Sequence, residues 1–207
     1  MEARVRGRFN FPLMILAALI TVAPFAAAAD DRNAAPFGLE WGMSSAEVRE
    51  LGLELKDAQV RDYGTSFTAT KLPKIISDVE TVLLSFGYND KLWRVAALSR
   101  TFANDPHGSA VISRFDELAA VLVEKYGRGT PHYQYDPNPL MKGEDFLYQV
   151  EAGKAWHYTD FATPTIHVQL IIGASSTSDG SYRIIFEHKP LRADFEKGKK
   201  FHEKDAL

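Results

Sequence analysis

The chain contains no cysteine. It can therefore form no disulfides, run no thiol redox chemistry, supply no thiolate nucleophile and build no cysteine-based zinc site. A lipid anchor on a cysteine is excluded on the same ground. Positive charge is not in excess: 24 Lys and Arg face 27 Asp and Glu, a formal net charge of −3. A mildly acidic chain lacks the electrostatic footprint of a nucleic-acid binder. No apolar run reaches the roughly 20 residues that a membrane-spanning helix needs. Also missing are G-x-S-x-G, H-E-x-x-H, a phosphate-binding loop and G-x-G-x-x-G, the common sequence routes to hydrolase, metalloprotease, nucleotide or dinucleotide chemistry.

What is present begins with an export signal. Arg4, Arg6 and Arg8 stand against Glu2, an apolar run extends from Phe11 to Val22, and Pro24 leads into Ala26 to Ala29. A basic start, a short apolar core and small residues at the end are the parts of a secretory signal peptide. Residues 1–29 are thus expected to be cleaved before Asp30, leaving no transmembrane anchor. Losing three Arg and one Glu takes the formal charge from −3 to about −5. A domain of this length buries roughly 70% of its unfolded surface and needs no covalent staples. Because small animal secreted domains usually depend on disulfides, a bacterial periplasm is the expected compartment.

Beyond a polar leader at 30–36, the pattern predicts one α+β domain over 30–207. Its order is helix, four strands, helix, three strands and a charged helical tail at 191–207, with antiparallel sheet and helices on one face. Two small fused units, about 37–104 and 105–190, are an alternative description. Ser44-x-x-Glu47 fits a capping box, with Ala46, Val48 and Leu51 pointing inward. Residues 54–60 and 64–71 are weaker strand signals; 79–88 and 91–102 are strong ones. A two-residue turn at Asn89-Asp90 would pair Phe86 with Trp93, Leu84 with Val95 and Val82 with Ala97 on the core face, and Ser85 with Arg94 on the other. Residues 109–126 carry the helical stripe Val111, Phe115, Leu118, Leu122 and Tyr126, closed by Gly127 and Pro131. Residues 128–144 read as a long loop, and 145–152 as a short helix or strand. Strands are expected at 154–161, 165–173 and 181–189. Their phase places Trp156 and Tyr158 inward with Ile184 and Phe186, and His157, Thr159, His167, Gln169, Arg183 and Glu187 together on the outer face. Phe195 and Phe201 are the large anchors of the tail.

The stretch Phe37-Gly38-Leu39-Glu40-Trp41-Gly42-Met43-Ser44, with Ala46-Glu47-Val48 and Leu51-Gly52, resembles the G-M-S/T-x-x-E-V-x-x-L-G opening of small envelope proteins. Among these are the SmpA/OmlA (BamE) lipoproteins and domains shaped like β-lactamase inhibitory protein. It is also similar to proteobacterial periplasmic proteins that open "FG-x-x-WGMS-x-x-EV". The latter resemblance extends to Asp90-Lys91-Leu92-Trp93-Arg94-Val95, to Leu122–Gly127 and to Lys204–Leu207. The BamE-like match spans residues 37 to 52 and lacks that family's lipid-bearing cysteine. The resemblance implies a helix-plus-antiparallel-sheet domain that binds proteins or scaffolds the envelope, and it implies no catalytic residues.

Candidate chemistry is sparse. Two histidines and one glutamate beside Arg183 fall short of the three or four convergent ligands of a zinc site, so no metal or other cofactor is expected. Asp136, Glu144, Asp145 and Asp160, near Trp156, Tyr133 and Tyr148, could make the paired carboxylates of a glycosidase; a hydrolase acting on glycan or peptide is therefore the alternative function. A carrier for a small apolar ligand between sheet and helix is a third. The favoured reading is an exported, non-catalytic periplasmic module that binds another envelope protein or scaffolds the envelope. Trp41, Tyr133, Tyr135, His157, His167 and Arg183 are its candidate contact residues, since aromatics and Arg are enriched at interface hot spots.

Overall fold

A computed structural model of the chain describes residues 33–61, 64–135, 146–205 and 207. The predicted signal peptide and its cleavage site lie outside the described residues. The α+β class expected from the sequence is the class observed. Helix α1 (Ser45–Glu50) precedes β1 (Glu54–Arg61), β2 (Gly64–Thr70), β3 (Val79–Phe86) and β4 (Leu92–Ser99). Helix α2 (Ser109–Tyr126), β5 (Thr130–Gln134) and α3 (Phe146–Glu151) follow. Then come β6 (Trp156–Ala162), β7 (Ile166–Ala174), β8 (Gly180–His188) and α4 (Lys189–Asp205). All eight strands form one sheet, ordered β1-β2-β3-β4-β8-β7-β6-β5, with every neighbouring pair antiparallel. Each half is a helix followed by four antiparallel strands, with α3 inserted between β5 and β6 in the second, and the last strands of the two halves, β4 and β8, join them. No helix among the described residues is long and apolar enough to cross a membrane.

Local chemistry accounts for the elements. Ser44 and Glu47 form the expected capping box: the Ser44 backbone N–H donates to Glu47 Oε2 at 2.7 Å, and the Glu47 N–H donates to Ser44 Oγ at 3.2 Å. That bonding holds the Glu47 carboxyl below its usual pKa. Of the expected inward residues of α1, only Val48 is buried; Ala46 and Leu51 are exposed, because six residues present little more than one side chain to the sheet. The segment before it is not a loose leader throughout, since Ala35 and Phe37 are buried and Ala34 bridges to Glu40. Helix α2 has the predicted bounds. Its stripe of Val111, Phe115, Leu118 and Leu122 is buried against one sheet face, where Val82, Leu84, Val95, Phe161, Val168, Leu170, Ile184 and Phe186 complete the core. Arg114 pins the helix laterally, its Nε and Nη2 donating to the two Asp78 oxygens at 2.9 and 3.0 Å. Burial alone would raise the Asp78 pKa, but the Arg114 hydrogen bonds and charge bring it below its ordinary value.

The β3–β4 hairpin keeps most of its expected register: Leu84 pairs with Val95, Val82 with Ala97 and Ser85 with Arg94. Phe86, however, pairs with Leu92, not with Trp93. The connection is a wider turn over Tyr88–Asp90, with Asn89 and Asp90 both at positive φ. It leaves one extra residue on the β4 arm, and the resulting bulge turns Trp93 to the same face as Arg94. There Trp93 is 9% exposed and stacks on Phe195 of α4, with centroids 4.9 Å apart. Gly64 and Gly87 make this docking possible, because a Cβ at either would stand 3.0 or 3.2 Å from the Phe195 ring. Helix α4 thus lies on the face opposite α2, latched by Phe195, whereas Phe201 is 68% exposed and anchors nothing.

The segment expected as a loop from 128 contains β5, which pairs with β6 at the edge of the sheet. Pro131 is compatible with an edge strand, where one row of backbone N–H groups needs no partner. Of the ambiguous 145–152, Phe146–Glu151 is helical.

Candidate functional site

Strand β6 is in the opposite phase to that expected. Thr159 and Phe161 are buried on the α2 face, while Trp156 is 42% exposed. The strand opens with two large aromatics in one phase and has only Phe161 in the other; the partner registers Phe161–Val168 and Thr159–Leu170 decide the matter. His157 therefore shares the α2 face with Phe115, whose ring centroid is 4.5 Å away, and with Phe146 at 6.4 Å. Burial lowers its pKa below 6.5, partly opposed by the charge of Asp116. His157 and His167 thus lie on opposite faces, and Thr159 leaves the expected outer cluster with His157.

His167, Gln169, Arg183 and Glu187 do share the outer face, and the structure adds Asp160, His132 and Arg94 to them. The result is a polar chain across five strands. His132 Nε2 of β5 stands 3.3 Å from Asp160 Oδ2 of β6, and the His132 ring stacks on Tyr158 at 4.5 Å. Asp160 Oδ1 accepts from Gln169 Nε2 at 2.9 Å and lies 3.2 Å from His167 Nε2 on β7. His167 Nδ1 is 3.6 Å from Glu187 Oε2 on β8. Arg192 of α4 donates to the same oxygen at 2.6 Å, and Arg94 Nε of β4 is 3.4 Å from Oε1. Both ring nitrogens of His167 face a carboxylate, so neither is open to a substrate. Among the described residues, no group of three or more His, Asp and Glu is arranged to hold a metal ion.

Arg94 is expected from the sequence on the non-core face opposite Ser85, though not as a contact residue, and His132 carries no expectation. His132 sits in a stretch whose Pro and Gly content hides the strand, although its alternation with Tyr133 is the signal that could have found it.

The other candidates fall in separate places. Trp41 is 3% exposed and stacks on His188 at 5.8 Å, so it packs into the core. His188 is pushed below its ordinary pKa by burial, and its Nδ1 accepts from the Leu191 N–H at 3.4 Å in the first turn of α4. Tyr133 on β5 is 70% exposed and Tyr135 just beyond it 39%; both are at the sheet edge, away from Arg183. Arg183 is exposed on the outer face, with Leu98 and Ile171 as its strand neighbours. Of the four acids proposed for hydrolysis, Asp136, Glu144 and Asp145 lie outside the described residues. The fourth, Asp160, belongs to the polar chain.

Comparison with protein-family models, with characterised proteins and with solved structures finds no match.

Proposed function

We propose that the chain is an exported, non-catalytic binding module of the bacterial envelope, which offers the outer face of its sheet to a partner protein. One observation carries this reading. The carboxylates on that face, Asp160 and Glu187, are already held by Gln169, His167, Arg94 and Arg192, and so are organised as a fixed charge pattern and not as a free acid–base pair. Mixed charge with apolar flanks such as Leu98 and Ile171 suits a polar protein interface. The resemblance of residues 37–52 to envelope proteins, and the leader at 1–29, favour the same setting.

The test is in-cell photo-crosslinking from Leu98 on the outer face and, as a control, from Val121, which is 60% exposed on α2. A discrete adduct from Leu98 and none from Val121 is expected. Adducts from Val121 alone, or from neither site, would refute the reading. Mass spectrometry of the exported protein should find its N-terminus at Asp30, within a residue or two; retention of residues 11–29 would remove the periplasmic part of the proposal.

A further inference from the structure

Over β1 to β4, and bounded by β8, the outer face carries a hollow of about 360 Å³, within the size range of small-ligand sites. Its lining includes Arg94 of β4 and Arg183 of β8, Ser66 and Thr68 of β2, Ser85 of β3, and Asp57 of β1, the strand farthest from the arginines; the Ser66 and Ser85 hydroxyls are hydrogen-bonded to each other at 2.9 Å. The two arginines come from adjacent strands, Arg94 opposite Glu187 and Arg183 opposite Leu98, with the Ala96–Ile185 pair between them, and both line the hollow.

Their charge is not used up. Among the described residues, Arg183 has no carboxylate partner, and the Arg94 guanidinium has only Glu187. That contact runs through Arg94 Nε, which is buried, 3.4 Å from Glu187 Oε1 and without a hydrogen bond. Glu187 is meanwhile hydrogen-bonded to Arg192 at 2.6 Å. One carboxylate thus serves two guanidiniums, and Arg183 adds a third cation with no anion of its own. A planar guanidinium presents paired donors that match carboxylate and phosphate oxygens.

We propose that this hollow seats a small oxyanion, a carboxylate or phosphate group held between Arg94 and Arg183, with the Ser66, Thr68 and Ser85 hydroxyls lining the same hollow. This goes beyond the binding-module reading, because the seat works for a free solute whether or not a protein covers the face. Asp57 gives the seat a polarity: the anionic end of the ligand lies on the arginine side.

The experiment titrates the purified protein with succinate and, separately, inorganic phosphate, following the arginine Nε–Hε resonances by NMR and the heat by calorimetry. Saturable, one-site shifts at Arg94 and Arg183 are expected. Response to succinate alone assigns a carboxylate seat, and response to phosphate alone a phosphate seat. Arg183→Gln should weaken binding on the order of tenfold or more, the worth of a charge-assisted hydrogen bond, without changing the melting temperature. Arg183→Lys, which keeps charge but loses the fork, should fall between. Asp57→Asn should tighten binding, and Asn tolerates the positive φ of 53° found there. Arg49→Gln, on α1 with its guanidinium over the Phe67 ring, should change nothing. No saturable shift with either anion, or an equal loss in Arg49→Gln and Arg183→Gln, would overturn the proposal.

Discussion

The two faces of the sheet are built from the same strands and to opposite ends. On the α2 face, buried Val, Leu, Ile and Phe from five strands and three helices pack into one apolar body, in which polar groups such as Thr159 are few. On the outer face, the strands contribute alternate residues of a different kind: His132, Asp160, Gln169, His167, Glu187 and Arg94, linked by charge, with Ala96 and Ile185 as apolar spacers. Burial of apolar area gives the first face its contribution to stability. The second contributes little, because partly exposed ion pairs exchange one set of favourable contacts with water for another. The first face specifies the fold, and the second is where surface chemistry can vary without unfolding it.

The sharpest way to test this division is to cut each face at its centre. Phe115→Ala, removing a 2% exposed ring from α2, should cost about 3–5 kcal/mol in chemical denaturation. Asp160→Asn, at the middle of the outer chain, should cost no more than about 1 kcal/mol. Equal losses would mean that the outer network holds the fold together. A smaller effect comes from the latch between the outer face and α4. Phe195→Ala should lower stability by about 1–2 kcal/mol through lost apolar area. It should also shift the emission of the uncovered Trp93 to longer wavelength; unchanged emission would mean that Trp93 is shielded by something other than Phe195.

The smallest effect is a pH dependence arising from two histidines on the apolar side. His157 and His188 both have pKa values lowered by burial below the ordinary 6.5. The unfolded chain then binds protons that the folded chain refuses. Their neutral forms leave stability whole above pH 6.5, and stability is lost as pH falls from there through the folded values. Protonation of His188 would also remove the acceptor for the Leu191 N–H at the start of α4. Thermal melts taken downward from pH 7 should decline, and His157→Phe should flatten part of that decline. A melting temperature insensitive to pH in this window would contradict the burial of these rings.

Much of this was legible in the residues. The apolar stripe of α2 fixes its bounds, and the capping box fixes the start of α1. In the β3–β4 hairpin, cross-strand matching of Val82, Leu84, Val95 and Ala97 sorts the faces correctly. Where the reading failed, a local signal was overruled by a neighbour. Trp93 changed face because a wider turn added one residue to its arm, and a one-residue slip inverts a strand. Trp156 and Tyr158 look like core, but the partner strand β7 selects Phe161 and Thr159 instead. Strand β5 was hidden by Pro131, and with it His132. The outer polar chain was half visible, as His167, Gln169, Arg183 and Glu187. Its continuity depends on registers between strands distant in sequence, which periodicity within one strand cannot supply.

The strands that end the sheet have one more consequence. Strand β1 carries a register shift between Lys56 and Gln59, with Asp57 at φ 53°, and β5 carries Pro131. Each interrupts the regular row of donors and acceptors that an incoming strand would need. A broad sheet with two straight, uninterrupted borders would be a template for polymerisation. Here a kink at one border and a residue without an N–H at the other break the regular row that edge-to-edge pairing would use.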